Sequence, residues 1–164
     1  MTVTIQSKLR LRSAAVDDAD VLFEWANDEK VRLNSFSPEK IVYADHKAWL
    51  ARRIESRDSI LLIAEDDSGQ PVGQIRFDSS GPTRADIDFH VSNQHHGRGY
   101  GTQLLVEGFG WVVRDGRFRQ VRGIVKVANV ASKRCFEKAG FSNGGSVEHR
   151  GERCFLFTLE TPPK

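Results

Sequence analysis

A glycine-rich turn is the segment of the sequence best suited to chemistry. Within residues 94–102, glycines occupy three alternate positions, at Gly97, Gly99 and Gly101. Glycine lets a backbone turn tightly and present its N–H groups without side-chain obstruction. The turn lies between a strand-like and a helix-like segment, and a helix N-terminus favours a phosphate or pyrophosphate. Arg98 adds a charge that can pair with such an anion, whereas a tight turn without a ligand is the alternative.

Other phosphate-binding motifs fit the sequence less well. The chain has no G-x-x-x-x-G-K-[ST] segment and therefore no P-loop. Its glycine spacing is G-x-G-x-G rather than the G-x-G-x-x-G of dinucleotide-binding folds. Gln120 and Val121 occupy the region where such a fold would place its ribose-binding acid. Both nucleotide-binding classes are therefore disfavoured.

A second group of reactive side chains lies just before the turn. Asp86, Asp88 and His90 alternate along one predicted strand, so they point to one face together, with apolar residues on the other face. Histidine titrates near neutral pH, and carboxylates also serve as general bases. The pattern predicts a face that can exchange protons with a ligand, and a water-facing strand surface is the alternative.

The elements that must position these residues follow from hydrophobic periodicity and turn residues. Helices are predicted from residue 17, from a cap at Asp45 to about 57, and over 102–114 and 131–139, with an irregular segment at 27–40. Strands are predicted over 8–12, 59–65, 72–77, 85–91 and 120–127, with two more within 146–160. The strand–turn–helix–strand unit at 85–127 requires one parallel pair with a right-handed crossover. We predict an α/β (α+β) fold with a mixed, mostly antiparallel sheet flanked by helices.

Composition excludes several functional classes. The chain has 164 residues, and one domain is expected over 1–164. Lys and Arg number 24 against 22 acids, a formal charge of +2, which is too small a basic excess for generic nucleic-acid binding. No apolar stretch approaches a membrane span, and Met1–Gln6 lacks the features of a signal peptide, so no membrane partner and a cytoplasmic location are expected. His95 and His96 have no third ligand at metal spacing, so we expect a solvated pair and no metal site.

Two motifs together resemble a known family. Gln94-x-x-Gly97-x-Gly99 resembles the Q/R-x-x-G-x-G/A signature of the GNAT superfamily of acetyl-coenzyme A-dependent N-acetyltransferases. Residues 129–141 resemble that family's N-x-x-S-x-x-x-[YF]-E-K-x-G-F segment. The motifs lie about 30 residues apart in the expected order of elements, so the resemblance covers nearly the whole chain.

The resemblance implies where acetyl-CoA, as cosubstrate, binds. In such enzymes the two parallel strands splay apart, and acetyl-CoA lies in the V-shaped gap. The pyrophosphate is expected on the amides of 97–102, with Lys133, Arg134 or Lys138 near the nucleotide phosphates. The complete set of implied cofactor-binding residues is Phe89, Val91, Gln94, Gly97, Arg98, Gly99, Gly101, Thr102, Asn129, Ser132 and Lys138.

The resemblance also implies a direct attack of an amine on the thioester. Asp86 matches the position of an acid common in the superfamily and is the first candidate for the base, acting through water; His90 is the second. A backbone N–H near Val91 would polarise the carbonyl. Many relatives have a tyrosine, thought to protonate the thiolate, where this chain has Phe136. Water or a neighbour such as Cys135 or Ser132 must replace it, or activity is weak.

The segment 24–49 decides the acceptor in this architecture. It resembles acetyltransferases of nucleotide-linked amino sugars, especially those of pseudaminic acid biosynthesis. Aromatic rings would stack on a base or sugar, and polar groups would bind the diphosphate. The alternative is that Trp25 and Trp49 hold two helices on the sheet. The implied substrate-binding residues are Asn27, Arg32, Ser35, Phe36, His46 and Trp49.

Three functional hypotheses follow. The first is acetylation of a nucleotide-linked amino sugar, and the basic residues Lys30, Arg32 and Lys40 favour such an anionic acceptor. The second is a protein N-acetyltransferase, including a ribosomal one. The third is a coenzyme-binding module without catalysis, suggested by Phe136. A homodimer is compatible with all three, because homodimers are common among the relatives.

Overall fold

A computed structural model describes residues 8–163. Residues 1–7 and 164, including the segment used above to exclude a signal peptide, lie outside the described part. Seven strands form one sheet in the order β1-β2-β3-β4-β5-β7-β6. The strands are β1 (Arg10–Ser13), β2 (Ser59–Glu65), β3 (Pro71–Ser79), β4 (Arg84–Val91), β5 (Gln120–Lys126), β6 (Ser142–His149) and β7 (Glu152–Glu160). The helices are α1 (Ala19–Ala26), α2 (Glu29–Asn34), α3 (Tyr43–Glu55), α4 (Tyr100–Asp115) and α5 (Val130–Lys138).

One pair of neighbouring strands is parallel, and it is short. β4 pairs with β5 over Arg84–Asp86 and Gln120–Arg122, whereas every other adjacent pair is antiparallel. β4 continues to Val91 and β5 to Lys126, so both strands run on without pairing to each other. The predicted mixed sheet with one splayed parallel pair is confirmed.

The larger core lies between the sheet and the helices α4 and α5. Its fully buried side chains include Phe77, Phe157 and Leu104. Gly108 of α4 has a packing role, because a Cβ there would lie 2.8 Å from the side chain of Ile75. Glycine weakens a helix, but at this position it lets α4 approach the sheet closely. This core holds the N-terminus of α4 at the end of β4.

A smaller core covers the opposite face. Helices α1 and α3 pack on β2 through Leu22, Trp25 and Leu50 against Leu61 and Ile63. Trp25 is buried, in agreement with the alternative that the tryptophans hold two helices on the sheet. The β4 side of this face is polar, and the helices leave part of it accessible.

Several elements begin or end a few residues from their predicted positions, and three differences are larger or change an assigned role. The segment predicted to be irregular contains α2, because the Asp28 carboxylate caps it by accepting the N–H groups of Lys30 and Val31 at 3.0 and 3.3 Å. Helix α3 begins two residues before Asp45, so Asp45 is not its cap. β6 begins at residue 142 because a bulge absorbs two glycines. Among residues 8–163, no helix is both long and apolar enough to span a membrane.

Candidate active site

The glycine-rich turn has the geometry that its sequence predicts. Gly97 and Gly99 have φ angles of +78° and +76°, in the region that favours glycine. Gly99 is the N-cap of α4, whose first N–H groups have no partner within the helix. The N–H donors at this end of α4 can therefore bind an anion, as the pyrophosphate assignment requires.

Two histidines form hydrogen bonds at the turn, and the burial of one of them contradicts a prediction. His96 Nε2 donates to the carbonyl oxygen of Val91 at 2.7 Å. His95 is buried, with Nδ1 2.5 Å from Ser92 Oγ, so the expected solvated pair is wrong for His95. Its imidazole lies beside the ring of Tyr100, with centroids 6.2 Å apart. No group of three His, Cys, Asp or Glu side chains within 8–163 could hold a metal ion.

The strands β4 and β5 diverge beyond their short parallel ladder and leave a gap between them. Helix α5 approaches the glycine-rich turn from the other side of this gap. A Cβ at Gly101 would lie 2.7 Å from the Cys135 sulfur and 3.6 Å from the ring of Phe89. The glycine therefore permits close contact between α4, α5 and β4. Asn129 caps α5 by accepting the Ser132 N–H at 3.3 Å, which accounts for both residues structurally and leaves their predicted cofactor contacts as a prediction.

The backbone of β4 is open where the strands diverge. The N–H of Ser92 donates to Val72 on β3, and backbone groups alternate in direction along a strand. The N–H and C=O groups of Phe89 and the N–H of Val91 therefore point away from β3, towards the side where β5 has left the sheet, whereas the carbonyl oxygen of Val91 already accepts from His96 Nε2. An extended ligand beside β4 would find these backbone groups open.

Phe136 is buried under the point of divergence. Its side chain is 2 % exposed, stacks on Phe157 with centroids 5.1 Å apart, and contacts the backbone of Gly123 so closely that a Cβ there would lie 2.3 Å from the ring. Phe136 supplies packing and no proton. Burial raises the pKa of the neighbouring Cys135 thiol, against a smaller opposing effect of its hydrogen bond with Thr102.

The opposite face of β4 carries the predicted polar row. Asp86 accepts two hydrogen bonds from the Arg122 guanidinium, at 2.8 and 2.9 Å, and one from Ser80 Oγ at 2.9 Å. The hydrogen bonds with Asp86 raise the pKa of the Arg122 guanidinium, against a smaller opposing effect of burial. Asp86 and Arg122 are also the last partners of the parallel ladder. The first candidate base thus sits at the closed end of the gap, in an ion pair that the sequence did not reveal.

His90 lies nearer the open end and packs against Trp25, with ring centroids 5.9 Å apart. Burial lowers the pKa of His90 to about 4, against smaller opposing effects of Asp28 and Asp88. The imidazole is therefore neutral at neutral pH, the form that can accept a proton or a hydrogen bond. Its basicity is nevertheless too low for it to hold a proton taken from an alkylammonium group.

Three predicted acceptor residues make contacts within the chain. The amide of Asn27 exchanges two hydrogen bonds with the backbone of Ile41, at 2.8 and 2.9 Å. Arg32 Nη1 donates to the carbonyl of Ser37 at 2.8 Å. His46 is 4 % exposed, is stacked on Trp49, and has a lowered pKa because of burial. The structure therefore does not bring Arg32 and His46 together as a diphosphate site.

Of the other predicted acceptor residues, Ser35 and Phe36 lie beside the end of β5, whereas Trp49 packs against the smaller core. Lys126, at the end of β5, donates to the carbonyl oxygens of Leu33 and Ser35 at 3.1 and 2.9 Å. Phe36 packs edge-on against His149, with centroids 4.7 Å apart. At the other end of α2, Asn93 donates to the Asp28 carboxylate. Segment 28–36 is thus tied to the ends of both β4 and β5.

A cavity of about 300 Å³ lies between α1 and the end of β4. Trp25 and His90 line it, and its acidic side chains are Glu24 and Asp28. No Lys or Arg is among its lining residues, although the chain as a whole is slightly basic. Sequence reasoning missed this acidic cavity, and the only available signal was the pair of carboxylates four residues apart at the end of α1.

Comparison with known proteins supports the family suggested by the motifs. Residues 8–142 match a family model described as an acetyltransferase (GNAT) domain. The chain belongs to the GNAT acetyltransferase family. This member is therefore an acyltransferase that uses acetyl-CoA as its cosubstrate, and the predicted family and activity class are confirmed. None of the curated proteins compared with the sequence matches it.

Solved structures share the fold at low identity. The aminoglycoside acetyltransferase AAC(6′)-Ib, in complex with ribostamycin and coenzyme A, is 21% identical with a TM-score of 0.79, and the alignment covers 93% of each chain. Spermidine N-acetyltransferase from Vibrio cholerae, with coenzyme A and spermine, is 15% identical with a TM-score of 0.84, covering 94% of this chain and 96% of that one. RimL, a ribosomal L7/L12 alpha-N-protein acetyltransferase bound to coenzyme A, is 16% identical with a TM-score of 0.81, covering 94% of each.

The first prediction concerns the turn and uses two glycines with the same backbone conformation. Gly97 and Gly69 have φ angles of +78° and +81°, and a Cβ at either meets nothing within 4 Å. Gly97→Val and Gly69→Val should therefore lose similar stability, about 1–2 kcal/mol from left-handed strain. Only Gly97→Val should weaken acetyl-CoA binding, by about 10-fold or more, in calorimetric titration. Equal affinities of the two variants would contradict the assignment of the turn.

The second prediction concerns Phe136. Phe136→Tyr would bury a hydroxyl against Gly123 without a partner, so we expect it to lower the free energy of unfolding by about 1–3 kcal/mol. Phe155→Tyr, at a half-buried ring on β7, should change it much less. Denaturant unfolding measures both. A Phe136→Tyr variant with wild-type stability and faster turnover would show that the position accepts a proton donor.

Proposed function

We propose that this acetyltransferase acetylates a primary amine of a small, positively charged molecule that enters from the polar face of β4. The observation that carries the proposal is the divergence of β4 from β5 directly after the Asp86–Arg122 ion pair. The gap opens next to the glycine-rich turn on one side and next to His90 and the acidic cavity on the other. It therefore joins a binding surface for an anionic donor to one for a cationic acceptor.

The donor side is supported by backbone geometry. The N–H groups of residues 97–102, together with Arg98, are proposed to bind the pyrophosphate. The pantetheine arm would hydrogen-bond the open backbone of Phe89 and Val91, as an added strand does. Gln94, Asn129, Ser132 and Lys138 are proposed to contact the cosubstrate around this arm and the nucleotide. Acetyl-CoA supplies the activated acetyl thioester.

The reaction moves one acetyl group and removes two protons from the acceptor nitrogen. The ammonium group loses the first proton before the attack; the nitrogen then forms a bond to the carbonyl carbon, the carbon–sulfur bond breaks, and the nitrogen loses the second proton as it becomes an amide. We propose that water takes the first proton while neutral His90 accepts a hydrogen bond from that water or from the amine. Asp86 acts through the ion pair that orders the closed end of the gap. Water returns a proton to the thiolate, because Phe136 has none to give.

The choice of acceptor rests on charge. Glu24 and Asp28 line the cavity beside His90, and carboxylates there attract a cationic amine and repel a diphosphate. The AAC(6′)-Ib and spermidine N-acetyltransferase complexes contain cationic amines, ribostamycin and spermine. A nucleotide-linked amino sugar is the second candidate, favoured by Phe36 beside Lys126 at the open end of the gap. We further propose one domain over 1–164, acting in the cytoplasm, and a homodimer stays a prediction.

The third prediction tests the acceptor. Thiol release from acetyl-CoA is measured with spermidine, kanamycin, a uridine diphosphate-linked 4-amino sugar and a lysine peptide. We expect kcat/KM for at least one of the two cationic small molecules to exceed that for the nucleotide sugar by about 10-fold or more, since carboxylates such as Glu24 and Asp28 attract a cation and repel a diphosphate. Preference for the nucleotide sugar or the peptide would overturn the acceptor proposal. Tight acetyl-CoA binding without turnover of any amine would support a coenzyme-binding module.

The fourth prediction follows from the low pKa of His90. Its folded-state pKa of about 4 lies below the ordinary value of 6.5, so the imidazole stays neutral from about pH 5 upwards and gains its charge only near pH 4. The pH profile of kcat/KM for the acceptor should therefore show no inflection near 6.5 and should rise with deprotonation of the amine. An inflection near 6.5 that disappears in His90→Asn would contradict this environment of His90.

A further inference from the structure

The two carboxylates on the polar face of β4 differ in how much hydrogen-bonding capacity they have left. Asp86 accepts three hydrogen bonds, two of them from the Arg122 guanidinium. Asp88 accepts one, from Gln74 Nε2 at 3.0 Å, and lies 3.7 Å from Arg76 Nη1. Arg76 is more closely paired with Asp78, at 2.6 Å. Asp88 thus keeps most of its acceptor sites for another donor.

Asp88 also occupies the open part of the gap. The parallel ladder ends at Asp86, so Asp88 has no β5 residue beside it. Its side chain is 57 % exposed, against 36 % for Asp86. Alternation along β4 places Asp88 on the same face as His90, one step towards the closed end. A molecule that reaches His90 from this face therefore meets Asp88.

Gln74 forms a hydrogen bond with Asp88 although half of its own buried amide has no partner. It lies on β3, opposite His90 in the strand register, and is 8 % exposed. Its Nε2 donates to Asp88, while its buried Oε1 has no hydrogen-bond partner. A buried amide with an unsatisfied carbonyl costs stability, so Gln74 is poorly explained as a stabilising residue. Its one hydrogen bond does orient the Asp88 carboxylate.

We propose that Asp88 binds the ammonium group of the acceptor and that Gln74 is the positioning residue that orients it. An ammonium group offers three donors to the vacant acceptor sites of the carboxylate, and such charge-assisted bonds are among the strongest in proteins. The amine would be held beside His90 on the face from which it attacks. The inference rests on the proposed function, because it assumes that an amine enters from this face.

A purely structural role for the pair makes the opposite prediction. If Asp88 and Gln74 served only to stabilise the sheet, their removal would lower stability and leave the acceptor KM unchanged. If they bind the acceptor, Gln74→Leu removes an unsatisfied buried carbonyl, so its melting temperature should equal or exceed that of the wild type. Its acceptor KM should nevertheless rise, because Asp88 loses its orienting hydrogen bond.

The test measures steady-state kinetics and melting temperature for Asp88→Asn and Gln74→Leu. The probes are spermidine, kanamycin and the uridine diphosphate-linked 4-amino sugar, using those that the wild type acetylates. We expect Asp88→Asn to lower acceptor kcat/KM by about 10- to 100-fold, mainly through KM, and to leave the KM for acetyl-CoA within about twofold. Gln74→Leu should raise acceptor KM by about 3- to 10-fold, a partial loss of the same contact. Asp17→Asn, which changes an exposed carboxylate outside segment 24–49, is the matched control and should leave all parameters unchanged.

Each outcome decides the inference. The inference about Asp88 and Gln74 would be overturned if Asp88→Asn kept the wild-type acceptor KM. It would also be overturned if Gln74→Leu changed only the melting temperature. In either case, acetylation by the wild type would still support the proposed function. If the wild type acetylates none of the three probes, the proposed function for small amines is overturned, and the inference with it. Asp86→Asn gives the contrast: it should lower the melting temperature, because it breaks the Arg122 ion pair.

Discussion

The short parallel ladder between β4 and β5 is the constraint on which the active site depends. Hydrogen bonding between the strands stops at Asp86 and Arg122, whose side chains form a two-point ion pair at that same position. Directly after it, the ring of Phe136 lies against the bare backbone of Gly123 and stacks on Phe157. The ion pair lies on one face of the sheet, and the Phe136 ring, which we call the aromatic wedge, lies on the other. Together they determine where the strands separate. The backbone groups left open on β4 are therefore a product of packing.

This wedge also explains the departure of Phe136 from the family's tyrosine. A hydroxyl at the end of the ring would stand against the backbone of Gly123, and burying it there without a partner would cost stability. The aromatic cluster extends through Phe89 and Phe141, so position 136 belongs to the core. This burial supports the proposal that the proton returned to the leaving thiolate comes from water in the open gap.

Local patterns made much of this predictable, and long-range pairing made the rest unpredictable. The glycine-rich turn, the Asn129 cap and the shared face of Asp86, Asp88 and His90 follow from residues close in sequence. The partner of Asp86 lies 36 residues away, and the partner of Asp88 lies 14 residues away on β3. Neither pairing can be predicted from hydrophobic periodicity or from a local motif. Burial of His95 likewise depends on how α4 docks, which periodicity does not specify.

The charge of the acceptor shows most clearly why placement outweighs composition. Lys30, Arg32 and Lys40 suggested an anionic acceptor, yet the guanidinium of Arg32 turns back onto the carbonyl oxygens of its own loop. The carboxylates of Glu24 and Asp28 line the cavity next to His90 instead. Charges interact strongly only within a few ångströms when water screens them, so for the proposed acceptor the carboxylates lining the cavity should outweigh the guanidinium of Arg32. The proposed cationic acceptor is therefore compatible with a small positive net charge, because the geometry of α1 and β4 decides which charges line the cavity.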